Sequence, residues 1–210
     1  MTRARVLVVL EGVNDIEFLR RISAMLHDHD PRLPDLARWE RQGKLVFLPF
    51  GGGSVQGWLH RLAPLHLPEF HLFDHELPPE TELRHAAAAI VNQRDRCQAV
   101  VTRKRSLENY LHDDAVRESA GIDISIGDFD SVAELAARAQ YEQGQDEMPW
   151  ELLPRRAKAR MLQRAKRWLN LHAVKRMTPD RLAQRDPDGE LISWLESIRQ
   201  LSELSADVDG

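Results

Sequence analysis

The chain has 210 residues, of which 42% are hydrophobic and 30% charged, and its formal net charge at pH 7 is −4. This composition is typical of a soluble globular protein with one large domain, or with one domain and an appendage. The sequence has no apolar run of 18 residues and no basic-then-apolar leader, so we expect a cytoplasmic protein without membrane association. The single cysteine, Cys97, excludes an internal disulfide and a cysteine-based metal cluster.

Four short apolar segments in the first half of the chain alternate with helical patterns. The segments cover residues 6–10, 45–48, 70–73 and 99–102, and helices are predicted after the first segment and at about residues 81–93. Strands that alternate with helices in this way indicate a parallel sheet with right-handed crossovers. Residues 27–42, which include Pro31 and Pro34, are predicted to form an exposed loop. We therefore expect an α/β domain over residues 1–112.

The pattern of the second half predicts a helical region over residues 113–210. Ser131 and Glu134 have the spacing of a capping box at a helix start, and Thr178-Pro179 is a second start signal. Between them lies a basic segment, residues 155–185, with eleven lysines and arginines and one acidic residue, Asp180. Such a segment is compatible with polyanion binding and equally with a solvated helix face.

Acidic residues follow two of the four predicted strands. Glu11 and Asp15 come after the first strand, and Asp74 and Glu76 after the third. The carboxyl ends of parallel strands meet at one edge of a sheet, which is where ligands of open α/β sheets bind. Crowded carboxylates repel one another unless a cation or protonation offsets the repulsion, and Mg²⁺ prefers oxygen ligands. A divalent cation site at this edge is the prediction, with ordinary acidic turns as the alternative.

Two other patterns occur at or near this edge. The glycine turn at residues 51–54 lacks the Gly-Lys-Ser/Thr of a phosphate-binding loop, so the sequence shows no ATP-hydrolysing module. The glycine turn is predicted either to be a flexible loop or to bring its backbone close to a phosphate or a neighbouring loop. His71 and His75 lack further ligands at zinc spacing, so we expect them either to pack or to support the residues that bind a metal.

Four segments together resemble the TOPRIM domain as it occurs in OLD-type (overcoming-lysogenization-defect) nucleases. They read VLVVLEGVNDIEFL, VFLPFGGGS, FHLFDHEL and AVVTRKRSLENYL, and they span about residues 5–111. The basic segment at about residues 158–177 is more loosely similar to the helical region of the same proteins. The resemblance implies a TOPRIM (Rossmann-like) sheet and a nuclease that uses Mg²⁺ or Mn²⁺.

The resemblance also implies roles for individual residues. The residues expected to bind metal and act in catalysis are Glu11, Asp15, Asp74, Glu76 and Glu108. Lys104 or Arg105 is expected to supply a cation near the scissile phosphate. The residues expected to contact nucleic acid are Arg105, Lys158, Arg160, Arg164, Lys166, Arg167, Lys175 and Arg176. Glu76 departs from the family pattern, which has aspartate there, and its carboxylate is one methylene further from the backbone.

The leading functional prediction is a metal-dependent endonuclease that acts on DNA, with RNA as a second candidate substrate. The sequence shows no ATPase domain of the kind that OLD proteins carry, so nucleotide control would come from a separate ATPase protein. One alternative is a TOPRIM-like subunit that binds DNA or an ATPase partner without cutting. A third interpretation is a metal-dependent nucleotidyl or glycosyl transferase that uses Asp74 and Glu76 as a metal-phosphate bridge.

Overall fold

The computed structural model describes residues 4–51, 55–58, 60–144 and 148–204. Its strands are β1 (Val6–Leu10), β2 (Leu45–Pro49), β3 (Glu69–Phe73) and β4 (Cys97–Val101). They form a parallel sheet in the order β2-β1-β3-β4. Each strand lies within a few residues of its predicted segment, so the predicted parallel sheet is confirmed. Gly52, Gly53 and Ser54 of the predicted glycine turn lie outside the described residues.

Helices cover both faces of the sheet and make up the second half of the chain. They are α1 (Val13–His29), α2 (Leu36–Arg41), α3 (Glu80–Val91), α4 (Asp113–Ala120), α5 (Val132–Gln143), α6 (Arg155–Leu171), α7 (Pro179–Arg185) and α8 (Glu190–Leu204). Short 3₁₀ helices lie at Val55–Trp58, Ala63–Leu65, Leu107–Tyr110, Trp150–Leu152 and Ala173–Arg176. The predicted α/β class with a helical second half is confirmed. Among the described residues, no helix has both the length and the apolarity to cross a bilayer.

The strands are buried on both faces, which explains their continuous apolar sequences. Val6, Val8 and Leu10 of β1 belong to one core with α1, α4 to α6 and α8, and Leu7 and Val9 belong to another with α3. Successive strand residues point to opposite faces, so β1 contributes to both cores. The larger core includes residues from both sides of position 112, and α8 packs directly on β1 and β3.

The segment predicted to be an exposed loop contains a second helix instead. The α1 helix continues to His29, and α2 begins after Asp35, whose carboxylate accepts a hydrogen bond from the Arg38 N–H at 2.9 Å. Leu33 and Leu36 are buried in the main core. The prediction was wrong because the two prolines lie before α2 and leave its capped start intact.

The two predicted helix starts in the second half differ in their capping. The α7 helix begins as predicted, with the Thr178 hydroxyl accepting a hydrogen bond from the Arg181 N–H at 3.3 Å. The α5 helix also begins where expected, at Val132, but Ser131 makes no side-chain capping bond. The predicted capping box at Ser131 is therefore wrong, although the predicted helix is present.

The last helix depends on a buried carboxylate that caps its first turn. Both oxygens of Asp186 accept backbone hydrogen bonds, from Glu190 and Leu191, at 2.9 Å each. We expect Asp186→Ala to lower the free energy of unfolding by about 1–2 kcal/mol because these two N–H groups lose their acceptor. Urea unfolding followed by circular dichroism measures this change.

Asp188→Ala is the matched control for this prediction. Asp188 is exposed and pairs with the exposed Arg103 at 2.5 Å, so its removal should change stability by less than about 0.5 kcal/mol. Equal losses in the two variants would contradict the capping role of Asp186.

Candidate metal centre

Three carboxylates converge at the carboxyl edge of the sheet. Glu11 follows β1, and Asp74 and Glu76 follow β3, which pairs with β1 in parallel. One oxygen of each carboxylate lies within 4.8 Å of the other two. The strand pairing thus brings together residues that are more than 60 positions apart in the sequence.

Asp15 is held at the start of α1. Gly12 precedes the helix in an extended conformation, and its N–H donates a 2.7 Å hydrogen bond to Oδ2 of Asp15. The other oxygen, Oδ1, lies 3.5 Å from the ammonium group of Lys166 on α6. Asp15 therefore links the first strand end to the helical half of the chain.

Lys166 is shared between Asp15 and Glu108. Its ammonium group lies 3.7 Å from Oε1 of Glu108, which also accepts a 2.6 Å hydrogen bond from the amide of Asn170. Asn170 and Glu108 are both buried, and the side chain of Lys166 is one-third exposed. A single helix, α6, thus supplies a cation and an amide donor to the acids.

The electrostatics of the cluster reflect burial and mutual repulsion. Burial raises the pKa of Asp15 to about 6, with Glu108 and Glu11 adding to the shift and Lys166 opposing it. Burial, followed by the charge of Asp15, raises the pKa of Asp74 well above its usual value. Burial alone would lower the pKa of Lys166, but the surrounding carboxylates, Glu108 first, raise it. The ammonium is therefore charged throughout the physiological pH range.

The same cluster has buried oxygen atoms without hydrogen-bond donors. Glu11 Oε2, Asp15 Oδ1 and Asp74 Oδ2 have no hydrogen-bond partner in the described structure. Buried polar atoms without partners are costly, and a hard divalent cation would satisfy carboxylate oxygens of this kind. The donor set, three oxygens from Glu11, Asp74 and Glu76, fits such a cation.

Glu76 reaches the cluster through an unusual backbone conformation. Strand β3 ends at Phe73, and Glu76 has a φ of 57°, in the left-handed region. Its N–H donates to the carbonyl of Arg105 at 2.9 Å, which fixes this turn to the chain that follows β4. Burial, then the charge of Glu11, raises the pKa of Glu76. Strand β3 has ended before Asp74 and Glu76, so strand alternation does not set the direction of their side chains.

Of the two cations predicted after β4, Arg105 lies nearer the acids. Its Nε is 3.8 Å from Oε2 of Glu76. The ammonium group of Lys104 pairs with Asp128 and lies over the ring of Tyr110. The catalytic role of Lys104 stays a prediction, whereas Lys166 already lies among the carboxylates.

The residues predicted to contact nucleic acid occupy several surfaces. Arg160, Arg164 and Arg167 are exposed and share one face of α6 by their spacing. This face adjoins a groove of about 790 Å³ lined by residues of α1 and α6 that include Asn14, Lys166 and Arg167. Lys158 donates to the carbonyl of Glu151 at 3.1 Å. Lys175 and Arg176 are exposed on the following 3₁₀ helix.

The sequence predicted Lys166 only as a nucleic-acid contact. Its position among the carboxylates was missed because its neighbours in the sequence are also basic. A weak signal exists, since Lys166 and Asn170 are four residues apart and border the apolar positions of α6. Arg84 was missed as well. It occupies the buried stripe of α3 with Ala87, Ala88 and Val91, at i, i+3, i+4 and i+7 spacing.

His71 has the packing role that was predicted for it. It is buried in β3, its ring lies 5.9 Å from that of Phe73, and its Nε2 lies 2.8 Å from Oε2 of Glu69. Glu69 also pairs with Arg94. The zinc interpretation of His71 therefore gains no support from its neighbours.

Comparison with solved structures identifies proteins of the same fold. Three structures of the C-terminal region of the OLD protein of Xanthomonas campestris pv. campestris, phased with platinum, iodine and mercury, superpose with TM-scores of 0.54, 0.54 and 0.52. The identities are 14%, 12% and 15%, over 98–99% of this chain and 98–100% of the others. No protein-family model matches the chain, and no curated protein is significantly similar in sequence. The resemblance to OLD-type TOPRIM proteins is confirmed at the level of the fold.

The raised pKa of Asp15 predicts how stability depends on pH in the metal-free protein. The pKa is about 6 in the folded protein, against an ordinary value of 3.8. The folded state keeps a proton that the unfolded state releases, so the stabilisation is full below pH 3.8 and is lost as the pH rises through about 6. In EDTA, we expect wild type to lose on the order of 2 kcal/mol more stability than Asp15→Asn between pH 4 and pH 7. Urea unfolding at each pH measures the difference.

Glu118→Gln provides a control of opposite sign. The hydrogen bond from Arg181 lowers the pKa of this exposed carboxylate. Its small contribution to stability is therefore absent at low pH and appears as the pH rises. Parallel pH profiles for wild type and Asp15→Asn would contradict the burial-raised pKa.

Proposed function

We propose that this chain is a divalent-metal-dependent endonuclease that hydrolyses phosphodiester bonds in DNA, with RNA as a second candidate substrate. The observation that carries the proposal is the convergence of Glu11, Asp74 and Glu76, with unpaired buried oxygens, beside the ammonium group of Lys166. The shared fold with the OLD C-terminal region and the motif resemblance support the same chemistry.

Mg²⁺ or Mn²⁺ would be held by Glu11, Asp74 and Glu76. When bound, the cation would act as a Lewis acid toward the phosphodiester and make a water molecule more acidic. The three side chains fix the ligand geometry because each is anchored at a strand end or by a backbone hydrogen bond. Such fixed ligands favour electrostatic catalysis, which depends on charges that are in place before the reaction.

Lys166 is the residue best placed to offset negative charge on the phosphate in the transition state. Its raised pKa keeps it protonated, and Asp15 and Glu108 hold the ammonium group from two sides. Asn170 in turn orients Glu108 through its 2.6 Å hydrogen bond. In this proposal Asp15 and Glu108 act mainly by positioning Lys166 at the edge of the metal centre.

The exposed arginines of α6 give the nucleic-acid backbone a path to the centre. Arg160, Arg164 and Arg167 form a row that leads to the groove beside Asn14 and Lys166. Basic side chains in a row bind phosphates without reading sequence. A separate ATPase partner, expected from the motif resemblance, would add control and is not needed for this chemistry.

Replacement of single residues tests the proposed reaction. We expect Glu11→Gln to abolish nicking of supercoiled plasmid in Mn²⁺, because a metal ligand loses its charge. Lys166→Met should lower the rate by about 100-fold, on the scale of losing one charged transition-state contact. Gel electrophoresis of plasmid over time measures both effects.

Glu82→Gln is the matched control, since Glu82 is exposed on α3, and it should cut at the wild-type rate. Undiminished nicking by Glu11→Gln would refute the proposed reaction. Wild-type DNA binding without any cleavage in Mg²⁺ or Mn²⁺ would favour the non-cleaving subunit.

The salt dependence of DNA binding tests the arginine row. Replacing Arg160, Arg164 and Arg167 by glutamine should reduce the slope of log affinity against log salt by about 2–3, because each arginine neutralises about one phosphate. Fluorescence anisotropy of a labelled duplex in Ca²⁺ at several salt concentrations measures the slope. A control variant with glutamine at three arginines of other elements should keep the wild-type slope; its positions are Arg117 and Arg138, which are exposed, and Arg199, which is partly exposed. Equal slopes in the two triple variants would contradict the proposed path.

A further inference from the structure

Arg84 is a buried arginine beside the candidate metal centre. It lies on α3, its side chain is 8% exposed, and its guanidinium lies 5.6 Å from the ring centroid of Phe50. Arginine is seldom buried to this extent without strong partners. Its position on the buried stripe of α3 therefore needs an explanation beyond packing.

The ion pair of Arg84 is loose. Its Nη2 lies 3.5 Å from Oε2 of Glu11, beyond a good hydrogen bond, and that oxygen has no hydrogen-bond partner in the described structure. The Nε and Nη1 groups of Arg84 likewise have no acceptor among the described residues. The positive charge also lowers the pKa of Glu76, the third carboxylate of the centre, against the larger effect of burial. Arg84 is thus close to two carboxylates of the centre but satisfied by neither.

An unpaired buried guanidinium is suited to bind a phosphate. Its planar N–H groups match phosphate oxygens in pairs, and a desolvated site strengthens such bonds. Buried donors without acceptors cost free energy that a ligand oxygen would recover. The phosphate group of a phosphodiester fits this site, because a divalent cation held by the neighbouring carboxylates would offset their repulsion of its negative charge.

We propose that Arg84 has two roles: it serves as the counter-ion of Glu11 when no metal is bound, and it binds an oxygen of the substrate phosphate when a divalent cation takes Glu11. The inference rests on the proposed nuclease function and adds a phosphate-binding residue that comes from the α3 face of the sheet. On the other side of the sheet, Lys166 of α6 lies 3.5 Å from Asp15 and 3.7 Å from Glu108. The phosphate is then held between two cations of different geometry, an ammonium and a guanidinium.

The two roles predict that removal of Arg84 has opposite effects on metal affinity and on DNA affinity. Removing Arg84 removes a positive charge next to the metal ligands, so metal should bind more tightly. The same change removes a phosphate contact, so DNA should bind more weakly when metal is saturating. If Arg84 only stabilised the fold, its removal would weaken both metal binding and DNA binding.

Arg84→Met, Arg84→Lys and the charge-matched control Arg199→Met test this proposal. Arg199 is on α8, where it pairs with Glu203 at 2.7 Å. Calorimetry with Mn²⁺ alone should show about three- to tenfold tighter binding for Arg84→Met, and wild-type affinity for Arg199→Met. Anisotropy of a labelled duplex in saturating Ca²⁺ should show about tenfold weaker binding for Arg84→Met. Unchanged or weaker Mn²⁺ affinity, or unchanged duplex affinity, overturns the proposal.

Arg84→Lys decides the matter if Arg84→Met loses its cooperative unfolding transition. Lysine keeps the charge but lacks the planar fork, so Mn²⁺ affinity should stay within about twofold while duplex affinity in Ca²⁺ falls severalfold. Wild-type duplex affinity in this variant overturns the proposal. Neither measurement requires cleavage, so a protein that fails to nick plasmid but shows both effects disproves the nuclease function and leaves the role of Arg84 intact.

Discussion

The structure depends on the placement of one ammonium group, that of Lys166, among buried carboxylates. Asp15 and Glu108 lie 3.5 and 3.7 Å from it, and the charges of Asp74 and Glu11 also raise its pKa. Buried like charges at this density destabilise a fold unless an opposite charge is close. The ammonium reaches them only because α6 packs against α1. The acidic edge of the sheet and the helical half of the chain are therefore parts of one site.

This dependence requires α6 to be held firmly relative to the sheet. Asn170 and Lys166, four residues apart, contact Glu108 from the same helix, so α6 must keep both its position and its rotation. The continuous core fixes both, because Ala165 and Leu169 of α6 are buried in the same cluster as Val8 of β1. Close packing of this kind transmits small displacements, so core changes far from the acids should also alter the site.

Local sequence patterns predicted the strands and the acids that follow them, because both depend on residues that are neighbours in the sequence. An apolar run buried on both faces specifies β1, and parallel pairing then places Glu11 beside Asp74. The position of Lys166 among the acids could not be predicted in this way, since it depends on how α6, which begins 145 positions after the end of β1, docks. Lys104 follows a strand directly and was the better candidate on local grounds, yet its ammonium pairs with Asp128. Tertiary packing, which leaves little trace in local spacing, places Lys166 rather than Lys104 beside Asp15 and Glu108.

Glu76 joins the carboxylate cluster from an unusual backbone conformation. A glutamate carboxylate lies one methylene further from its Cα than that of aspartate, so on a regular strand it would extend past an aspartate ligand position. Here β3 has ended, Glu76 has a φ of 57°, and one of its carboxylate oxygens lies within 4.8 Å of those of Glu11 and Asp74. Left-handed backbone is costly for a residue with a Cβ, about 1 kcal/mol or more, and persists where surrounding contacts fix it. The hydrogen bond from the Glu76 N–H to the Arg105 carbonyl is such a contact. The longer side chain and the left-handed turn therefore belong together, since an aspartate on this backbone would have a shorter reach toward the other two carboxylates.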